Sequence, residues 1–397
     1  MAATSLCAAL LAPASASFAD PGRGGSLDIH DPIGLLQALA PEELAQTSTP
    51  PTPAEADSLR AQTGTDPFRL QLPATAADPL VLSPVQVEGA GQPITFSIDG
   101  ATGQPRTHAG ITAFDLEGDA AATTDGPAPA NADPADADRP DAAAYIQPLQ
   151  NGVRLLTALA APAAGDAFYY TFDLPEGAYS TVLPTGQTLL SDAEHNYIGT
   201  LEPAWARDAT GAPLPTRYTW EGDTLTQHVD LADDTPFPVL LDPTWYYAYD
   251  FSALNKPTLS VRYPKATASA VSRLLHSCFN CYFPINGAPR AYPAGGDVIN
   301  LNASPFTIVT IPAPVGVRTA MGGAMQFLAL PGHFDGAGSL ITFSWYNDPS
   351  GYIHLYVHAM VVKDNGPHLN ILNSTAAGAN WLNYWKRVAD NAFVTGV

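Results

Sequence analysis

The sequence predicts a mainly β protein in which an antiparallel β-sandwich-like module is followed by an α+β domain. Short strand-like runs separated by turn residues recur about every 8–12 residues between Tyr145 and Asp242, a spacing typical of β-sandwiches and barrels. After residue 245, one helical pattern precedes several alternating runs and another follows them. This order predicts a helix, an antiparallel meander and a C-terminal helix. Ahead of both regions we expect a disordered acidic arm.

The first 66 residues contain two segments that we expect to lie outside a folded core. Residues 1–19 combine an apolar run at Ser5–Ala12 with small residues just before Asp20, a pattern typical of a secretory signal peptide. No Lys or Arg precedes Arg23, so a translation start further upstream and a buried helix remain open. Residues 20–66 are poor in aromatic residues and interrupted by proline, and we expect disorder with one short helix at Pro32–Leu44. The predicted location is secreted and extracellular.

Charge is distributed unevenly along the chain. The net charge is −21, yet residues 245–397 hold nine Lys or Arg, six Asp and no Glu, so that region is +3 and residues 1–244 are −24. This asymmetry predicts two regions with different surfaces and a boundary near Pro243–Trp245. The negative charge excludes unspecific nucleic-acid binding as the main activity, because such binding needs Lys and Arg to displace counterions. No apolar run reaches the ~20 residues of a transmembrane helix, so we expect no membrane-spanning segment.

The β module is predicted in two stretches joined by an acidic tether. Residues 67–117 contain strand signals, among them the strictly alternating run Ile94–Ile98. Residues 118–144 consist almost entirely of Ala, Asp, Pro, Gly, Thr and Asn, a composition typical of a linker or a very long loop. Residues 145–243 carry seven strand-like runs between turns that contain Gly, Pro or Asp, and we expect the sandwich to be built mainly from them.

A series of short motifs runs through residues 145–243. They are, in order, Phe172–Gly177, Ile198–Gly199, Pro203–Asp208, Pro215–Tyr218, Gly222–Gln227 and Pro238–Pro243. Together they resemble a β-rich module of secreted actinobacterial proteins, in which the module precedes a variable C-terminal region. The resemblance covers about 100 residues. It implies secretion and a β-rich scaffold, and it implies no activity for any residue.

Residues 245–397 are predicted to form the α+β domain. Apolar residues recur at helical spacing within Pro264–Phe283 and again within Ala376–Ala392, which indicates a helix at each end. The strands predicted between them are Phe306–Ile311, Met325–Leu330, Ser339–Tyr346 and Tyr352–Lys363. Asp348–Gly351 is the expected hairpin turn between the last two strands. This order of elements also suits a helix-grip fold with a ligand cavity.

Cys278 and Cys281 form a CxxC pair, and the third cysteine, Cys7, lies within the predicted signal peptide. In an oxidising compartment the default expectation is a short-loop disulfide. A zinc site needs further ligands, since one CxxC is half a site, and a redox motif needs a thioredoxin-like βαβ context. We predict a disulfide, with metal binding and a redox or free thiol pair as alternatives, and we expect no cofactor and no metal.

Four residues of the C-terminal region are candidates for catalysis. His333 and Asp335 lie two apart in a Gly-rich segment, where a His–Asp pair is able to perform acid–base chemistry, although we favour a structural turn. His354 and His358 share one face of a predicted strand with Tyr356. Their separation of about 13 Å prevents both histidines from binding one ion. They either line a groove or, as we favour, form a solvent-facing polar stripe.

Aromatic residues supply the candidates for ligand binding. Trp345, Tyr356, Trp381 and Trp385 belong to a dense aromatic set that either binds sugars and lipid rings or, as we favour, fills the core. The sequence contains no phosphate-binding loop, His-Glu-x-x-His helix or Gly-x-Ser-x-Gly elbow, the motifs of common enzyme classes. We therefore predict a non-enzymatic extracellular binding or surface-interaction protein whose C-terminal domain takes a ligand such as a glycan or lipid. The alternative is a secreted hydrolase or toxin-like effector with its site in the same domain.

Overall fold

The computed structural model describes residues 27–116, 141–162, 165–252, 266–304, 311–321, 323–363 and 367–394. Within these ranges the chain forms 22 strands and six helices, and the strands assemble into three antiparallel sheets. The prediction of a mainly β fold with a C-terminal helix is therefore confirmed. The predicted signal peptide at 1–19 and most of the predicted tether at 118–144 lie outside the described residues.

Three short helices lie within residues 20–66, where we expected disorder with one short helix at Pro32–Leu44; two of them lie in that helical stretch. The three helices are α1 (Pro32–Leu39), α2 (Pro41–Leu44) and α3 (Pro53–Thr63). The Asp31 side chain caps α1 by accepting a hydrogen bond from a backbone amide, and Leu35, Leu36 and Leu39 are buried against a sheet. The difference from the prediction has a physical reason. The apolar surface that covers these leucines comes from distant strands, which the local sequence does not reveal.

The β module consists of two packed sheets. Its strands are β1 (Arg69–Gln71), β2 (Leu80–Ser83), β3 (Ile94–Ile98), β4 (Ala101–His108), β5 (Ile111–Leu116), β6 (Ala142–Leu149), β7 (Gly152–Leu159), β8 (Ala167–Phe172), β9 (Tyr179–Val182), β10 (Thr188–Ser191), β11 (Tyr197–Leu201), β12 (Ala206–Arg207), β13 (Thr216–Glu221), β14 (Thr224–Val229), β15 (Val239–Leu241) and β16 (Thr244–Tyr246). One sheet has the order β1-β2-β3-β8-β14-β13, and the other has β4-β5-β6-β7-β16-β11-β10-β9, with β15 beside β7 and β12 beside β15. Both sheets combine strands from the two predicted stretches, which therefore form one module.

Aromatic residues fill the space between the two sheets of the module. The rings of Phe96, Phe172 and Trp245 lie with their centroids 5.0 to 6.2 Å apart, and each residue is 1% exposed. Trp245 lies on β16, which pairs with β7 and β11 of the module. β16 therefore belongs to the module, and the C-terminal domain begins a few residues after the boundary that we predicted at residue 245.

The C-terminal domain is a six-stranded sheet with helices on one face. Its elements are β17 (Tyr249–Ser252), α4 (Ala268–Ser277), α5 (Phe279–Tyr282), β18 (Val298–Asn302), β19 (Pro312–Met321), β20 (Ala324–Ala329), β21 (Leu340–Asn347), β22 (Ile353–Met360) and α6 (Pro367–Val394). The strand order is β17-β22-β21-β20-β19-β18. The helix predicted at Pro264–Phe283 is interrupted at Cys278, where an extended backbone separates α4 from α5. The strand predicted at Phe306–Ile311 lies almost wholly outside the described residues.

The two faces of this sheet pack against different parts of the chain. Phe343 and Val357 face the helices and belong to the core of the C-terminal domain. Tyr346 and Tyr356 lie on the opposite face and pack in a cluster with Tyr246 of the module. The sheet therefore has the module on one side and the helices on the other. None of the helices in the described ranges is long and apolar enough to cross a membrane.

Candidate ligand-binding cavity

A cavity of about 430 Å³ lies inside the C-terminal domain, between the helix-facing side of the sheet and α6. Small-molecule sites in proteins have volumes of about 300–1,000 Å³ and are lined mainly by apolar side chains. The wall of this cavity includes the rings of Phe283, Phe327, Phe343 and Trp381. The cavity therefore has the size and the lining of a site for a small apolar molecule.

Small side chains explain why this part of the domain is hollow. The wall contains six alanines, which are Ala303, Ala313, Ala329, Ala359, Ala376 and Ala377. Elsewhere in the same core, Trp345 and Trp385 are packed closely and are at most 1% exposed. Protein interiors are otherwise close-packed, and an alanine leaves unfilled the volume that a larger side chain would occupy. The cavity thus lies where the sheet and α6 carry alanines, and the packed core lies where they carry larger side chains.

The β module closes one end of the cavity. Gln150 and Asn151, between β6 and β7, line it together with Tyr249 of β17. The Tyr249 hydroxyl donates a hydrogen bond of 2.6 Å to the backbone carbonyl of Ser374 on α6, which fixes the helix over the sheet at this end. The cavity is therefore built from both parts of the chain and not from the C-terminal domain alone.

The predicted pair His333 and Asp335 lies on the cavity wall, in the loop between β20 and β21. The loop is attached to the chain that follows β22, because the Lys363 amide donates a 3.2 Å hydrogen bond to the Asp335 carbonyl. The Ser339 hydroxyl donates a second one, of 2.8 Å, to the same carbonyl. Gly336 has a φ of 89° and a close approach to Lys363, which disfavours any side chain there. The turn is thus well defined and holds both side chains at the cavity.

Burial gives the two side chains of this pair unusual acid–base properties. The Asp335 amide donates a 3.1 Å hydrogen bond to His333 Nδ1, so the neutral imidazole carries its hydrogen on Nε2. Burial lowers the pKa of His333, which favours this neutral form. Burial also raises the pKa of Asp335 to about 6, against the opposing effect of the Lys363 charge. His333 Nδ1 and Asp335 Oδ2 are 3.9 Å apart, and the side chains are 11% and 22% exposed.

One of the four aromatic candidates for ligand binding lines the cavity. Trp381 is 8% exposed and packs edge-to-face with Phe343 at 5.0 Å between ring centroids. Trp345 and Trp385 are core residues, and Tyr356 is buried between the sheet and the module. For these three residues, core packing is the role that the structure supports.

His354, Tyr356 and His358 share one face of β22 as predicted, but that face is covered by the module. His354 is fully buried, the hydroxyls of Tyr356 and Tyr246 lie 2.7 Å apart, and His358 stacks on Tyr246 at 3.7 Å. Burial lowers the pKa of His358 to about 3. The prediction of a solvent-facing stripe is wrong, because tyrosines far away in the sequence cover it. Neither histidine lines the cavity.

A buried charge cluster joins the module to the C-terminal domain at this interface. His354 Nδ1 lies 2.6 Å from Asp250 Oδ2, and its Nε2 lies 3.6 Å from Asp348 Oδ2. Burial alone would lower the pKa of His354, but the two carboxylates outweigh it and raise the pKa to about 9. Asp348 also lies 2.6 Å from His195 Nδ1 of the module. Although burial opposes the effect, the nearby His354 and a hydrogen bond of 2.8 Å from the Tyr352 amide lower the pKa of Asp348.

Sequence reasoning missed His195 and Tyr179, the residues that the module contributes to this cluster. The Tyr179 hydroxyl lies 2.8 Å from His195 Nδ1. His195 has a φ of 65°, which is uncommon for a residue with a Cβ and marks it as a turn residue. In the sequence, a polar turn near Asp192 is the only feature that could have pointed to these two residues. In the described ranges, no group of three His, Cys, Asp or Glu side chains is arranged to hold a metal ion.

Cys278 and Cys281 lie at disulfide-bonding distance, at the corner between α4 and α5, with their Cα atoms 5.4 Å apart. This corner places Phe279, which is fully buried, in the core of the domain. Phe279 stacks on Phe283 with ring centroids 4.8 Å apart, and Phe283 lines the cavity. The cysteine pair thus closes a short loop that supports one side of the cavity.

Comparison with known proteins assigns no family to the chain. No family model and no curated protein matches it. Solved structures with some similarity include the di-domain ARO/CYC StfQ from the steffimycin biosynthetic pathway, at 10% identity and a TM-score of 0.29, covering 78% of this chain and 91% of that one. Another is the di-domain ARO/CYC BexL from the BE-7585A biosynthetic pathway, at 8% identity and a TM-score of 0.28, covering 63% and 84%. At these TM-scores we draw no argument from the similarity.

Proposed function

We propose that this protein is a secreted, non-enzymatic binding protein whose C-terminal domain holds a small apolar molecule. The observation that carries the proposal is the cavity of about 430 Å³ beneath α6, walled by alanines and aromatic rings. Removing apolar ligand surface from water stabilises a complex by about 25 cal/mol per Å² before the costs of association. A wall of this kind therefore favours an apolar, lipid-like molecule.

A glycan ligand has less support. Sugars stack on exposed aromatic rings and need many polar partners around them. Trp345, Tyr356 and Trp385 are all buried away from solvent, and the remaining candidate, Trp381, lies in a mainly apolar wall. Of the two ligand classes that the sequence indicated, we therefore propose the lipid-like one.

The hydrolase alternative is supported by the position of His333 and Asp335 on the cavity wall. Hydrolysis through a covalent intermediate also needs an activated nucleophile. Ser339, the serine of the same loop, donates its hydroxyl to the Asp335 carbonyl and accepts a 3.1 Å hydrogen bond from the Val362 amide. Because that hydroxyl is already engaged in the structure of the loop, we favour binding over hydrolysis.

Secretion is part of the proposal and has two supports. Residues 1–19 have the composition of a signal peptide. Cys278 and Cys281 at bonding distance suit an oxidising compartment, where disulfides persist. A released protein with an apolar cavity is suited to carry or capture a molecule that dissolves poorly in water.

Titration with N-phenyl-1-naphthylamine, a neutral apolar dye that fluoresces in apolar surroundings, tests the binding proposal. We expect a saturable rise in fluorescence with one site per chain. Ala329→Phe places a ring in the cavity and is expected to weaken dye binding at least tenfold, since Ala329 of β20 lines the wall. Leu328→Phe is the matched control, because the adjacent side chain of a strand points to the opposite face of the sheet.

Circular dichroism of both variants verifies that they fold, because adding bulk to a packed interior costs about 1–3 kcal/mol. The proposal is contradicted if the wild-type protein gives no saturable signal. It is equally contradicted if Ala329→Phe, folded as well as Leu328→Phe, binds the dye with unchanged affinity.

A further inference from the structure

The cavity wall carries two polar groups that have no hydrogen-bond partner among the residues that the structure describes. His333 Nδ1 accepts its hydrogen bond from the Asp335 amide, which leaves the Nε2–H as a donor. His333 Nδ1 is 3.9 Å from Asp335 Oδ2, beyond hydrogen-bond distance, and the Lys363 charge acts on the carboxylate without a hydrogen bond to it. Within the part of the chain that the structure describes, neither Nε2 nor the carboxylate has a hydrogen-bond partner. One donor and one acceptor, from residues two apart in one loop, therefore lie on the wall of a mainly apolar cavity.

We infer that the ligand of this cavity is an apolar alcohol or phenol whose hydroxyl group binds between His333 and Asp335. The hydroxyl oxygen accepts a hydrogen bond from His333 Nε2–H, and the hydroxyl hydrogen is donated to the Asp335 carboxylate. A hydroxyl is a small group with both functions at one atom. The inference rests on the proposed binding function and adds the chemical class of the ligand.

Other polar groups complement this end of the cavity less well. A ketone or an ether only accepts, so it satisfies His333 and leaves the Asp335 carboxylate desolvated without a partner. A ligand carboxylate is repelled by the Asp335 charge at close range. An ammonium group donates to Asp335 but places its hydrogens against the His333 Nε2–H, which needs an acceptor. We therefore expect His333 and Asp335 to make the cavity prefer a hydroxyl over these other polar groups.

The preference is measured by displacing the bound dye from the full chain at about pH 7.5 with four probes of similar length. The probes are 1-octanol, its isomer 1-methoxyheptane, octanoate and octylammonium. We expect 1-octanol to displace the dye at about tenfold lower concentration than 1-methoxyheptane, the effect of a charge-assisted hydrogen bond. Octanoate and octylammonium are expected to be weaker than the alcohol.

Variants of the pair separate recognition of the hydroxyl from general damage to the cavity. In Asp335→Ala and in His333→Phe the ratio of the octanol and ether affinities is expected to fall toward one. The ratio is measured within each variant, so a loss of stability or of apolar contact affects both probes alike. Asp390→Ala, at an exposed position of α6, is the control and is expected to keep the wild-type ratio.

The outcomes distinguish this inference from the proposed function. If the dye binds and octanol and its isomer displace it equally, the cavity binds apolar molecules and the hydroxyl inference is wrong. If octanoate is the strongest competitor, the inference is wrong because a cationic group must then recognise the ligand. If the dye does not bind at all, the proposed function fails and the inference fails with it.

Discussion

His354 is buried and His333 is partly buried, and their surroundings give them different charges at neutral pH. Asp250 and Asp348 lie within 3.6 Å of His354 and raise its pKa to about 9 against the effect of burial. His333 has one carboxylate in its loop, at 3.9 Å, and burial lowers its pKa. The first is therefore a cation held between two carboxylates of the C-terminal domain, and the second is a neutral hydrogen-bond donor at the cavity.

The raised pKa of His354 predicts how stability depends on pH. The folded state retains a proton that the unfolded histidine, with its usual pKa of 6.5, releases. The stabilisation is therefore complete below about pH 6.5 and is lost as the pH rises through about 9. Between about pH 7 and pH 9, we expect the wild-type protein to lose on the order of 2 kcal/mol more stability than His354→Gln. Urea unfolding at several pH values measures this difference.

A second variant keeps this test informative if His354→Gln does not fold. Asp348→Asn removes the charge 3.6 Å from His354 Nε2, and the weaker attraction should reduce the pH dependence without abolishing it. Other titrating groups, such as Asp242, whose pKa burial raises to about 7, are common to all three proteins. Equal slopes for the wild type and the variants would show that His354 carries no proton in this pH range.

Individual site residues were only partly predictable. The Gly-rich segment around His333 and Asp335 indicated a loop in which two functional groups lie close together, and that much is visible in the sequence. That the loop borders a cavity depends on small side chains elsewhere, such as Ala313 and Ala377. His354 illustrates the opposite case, since alternation gives its face on β22 correctly but does not reveal that the module covers this face.

Secondary-structure elements with strong local signals were predicted best. The hairpin of β21 and β22 turns at Asp348–Gly351 as expected, and its side chains pair in register. The strands predicted for the C-terminal meander did not include β18 and β19. β19 contains Pro312, Pro314 and Gly316, residues that argue against a strand. It forms because β18 and β20 pair with it on both sides, and this tertiary support overrides local preference.

The corner between α4 and α5 gives a prediction for the cysteine pair. A disulfide between Cys278 and Cys281 closes a loop of four residues, for which chain-entropy arguments give about 2 kcal/mol of stabilisation. We expect a reducing agent, or Cys281→Ser, to lower the free energy of unfolding by roughly this amount. Reducing agent added to Cys281→Ser, which has no disulfide to lose, is the matched control and is expected to have no further effect. Urea unfolding with and without reducing agent measures the effect, and an unchanged midpoint would show that the two thiols are not bonded in the native protein.

The complete molecule couples the β module to the cavity of the C-terminal domain. Gln150 and Asn151 of the module close one end of the cavity, while the charge cluster around His354 and the tyrosine cluster hold the two parts together. The sequence indicated two regions through their difference in charge. The cavity beneath α6 was not predictable from the sequence, because its wall combines residues from position 150 to position 381.

Isothermal titration calorimetry of the full chain with 1-octanol at several temperatures tests directly whether the cavity binds an apolar molecule. We predict one bound molecule per chain and a negative heat-capacity change, the signature of apolar surface buried on binding. Both are expected to disappear in Ala329→Phe and to persist in Leu328→Phe. Binding that is absent from the wild type, or that survives unchanged in Ala329→Phe, would contradict a ligand site beneath α6.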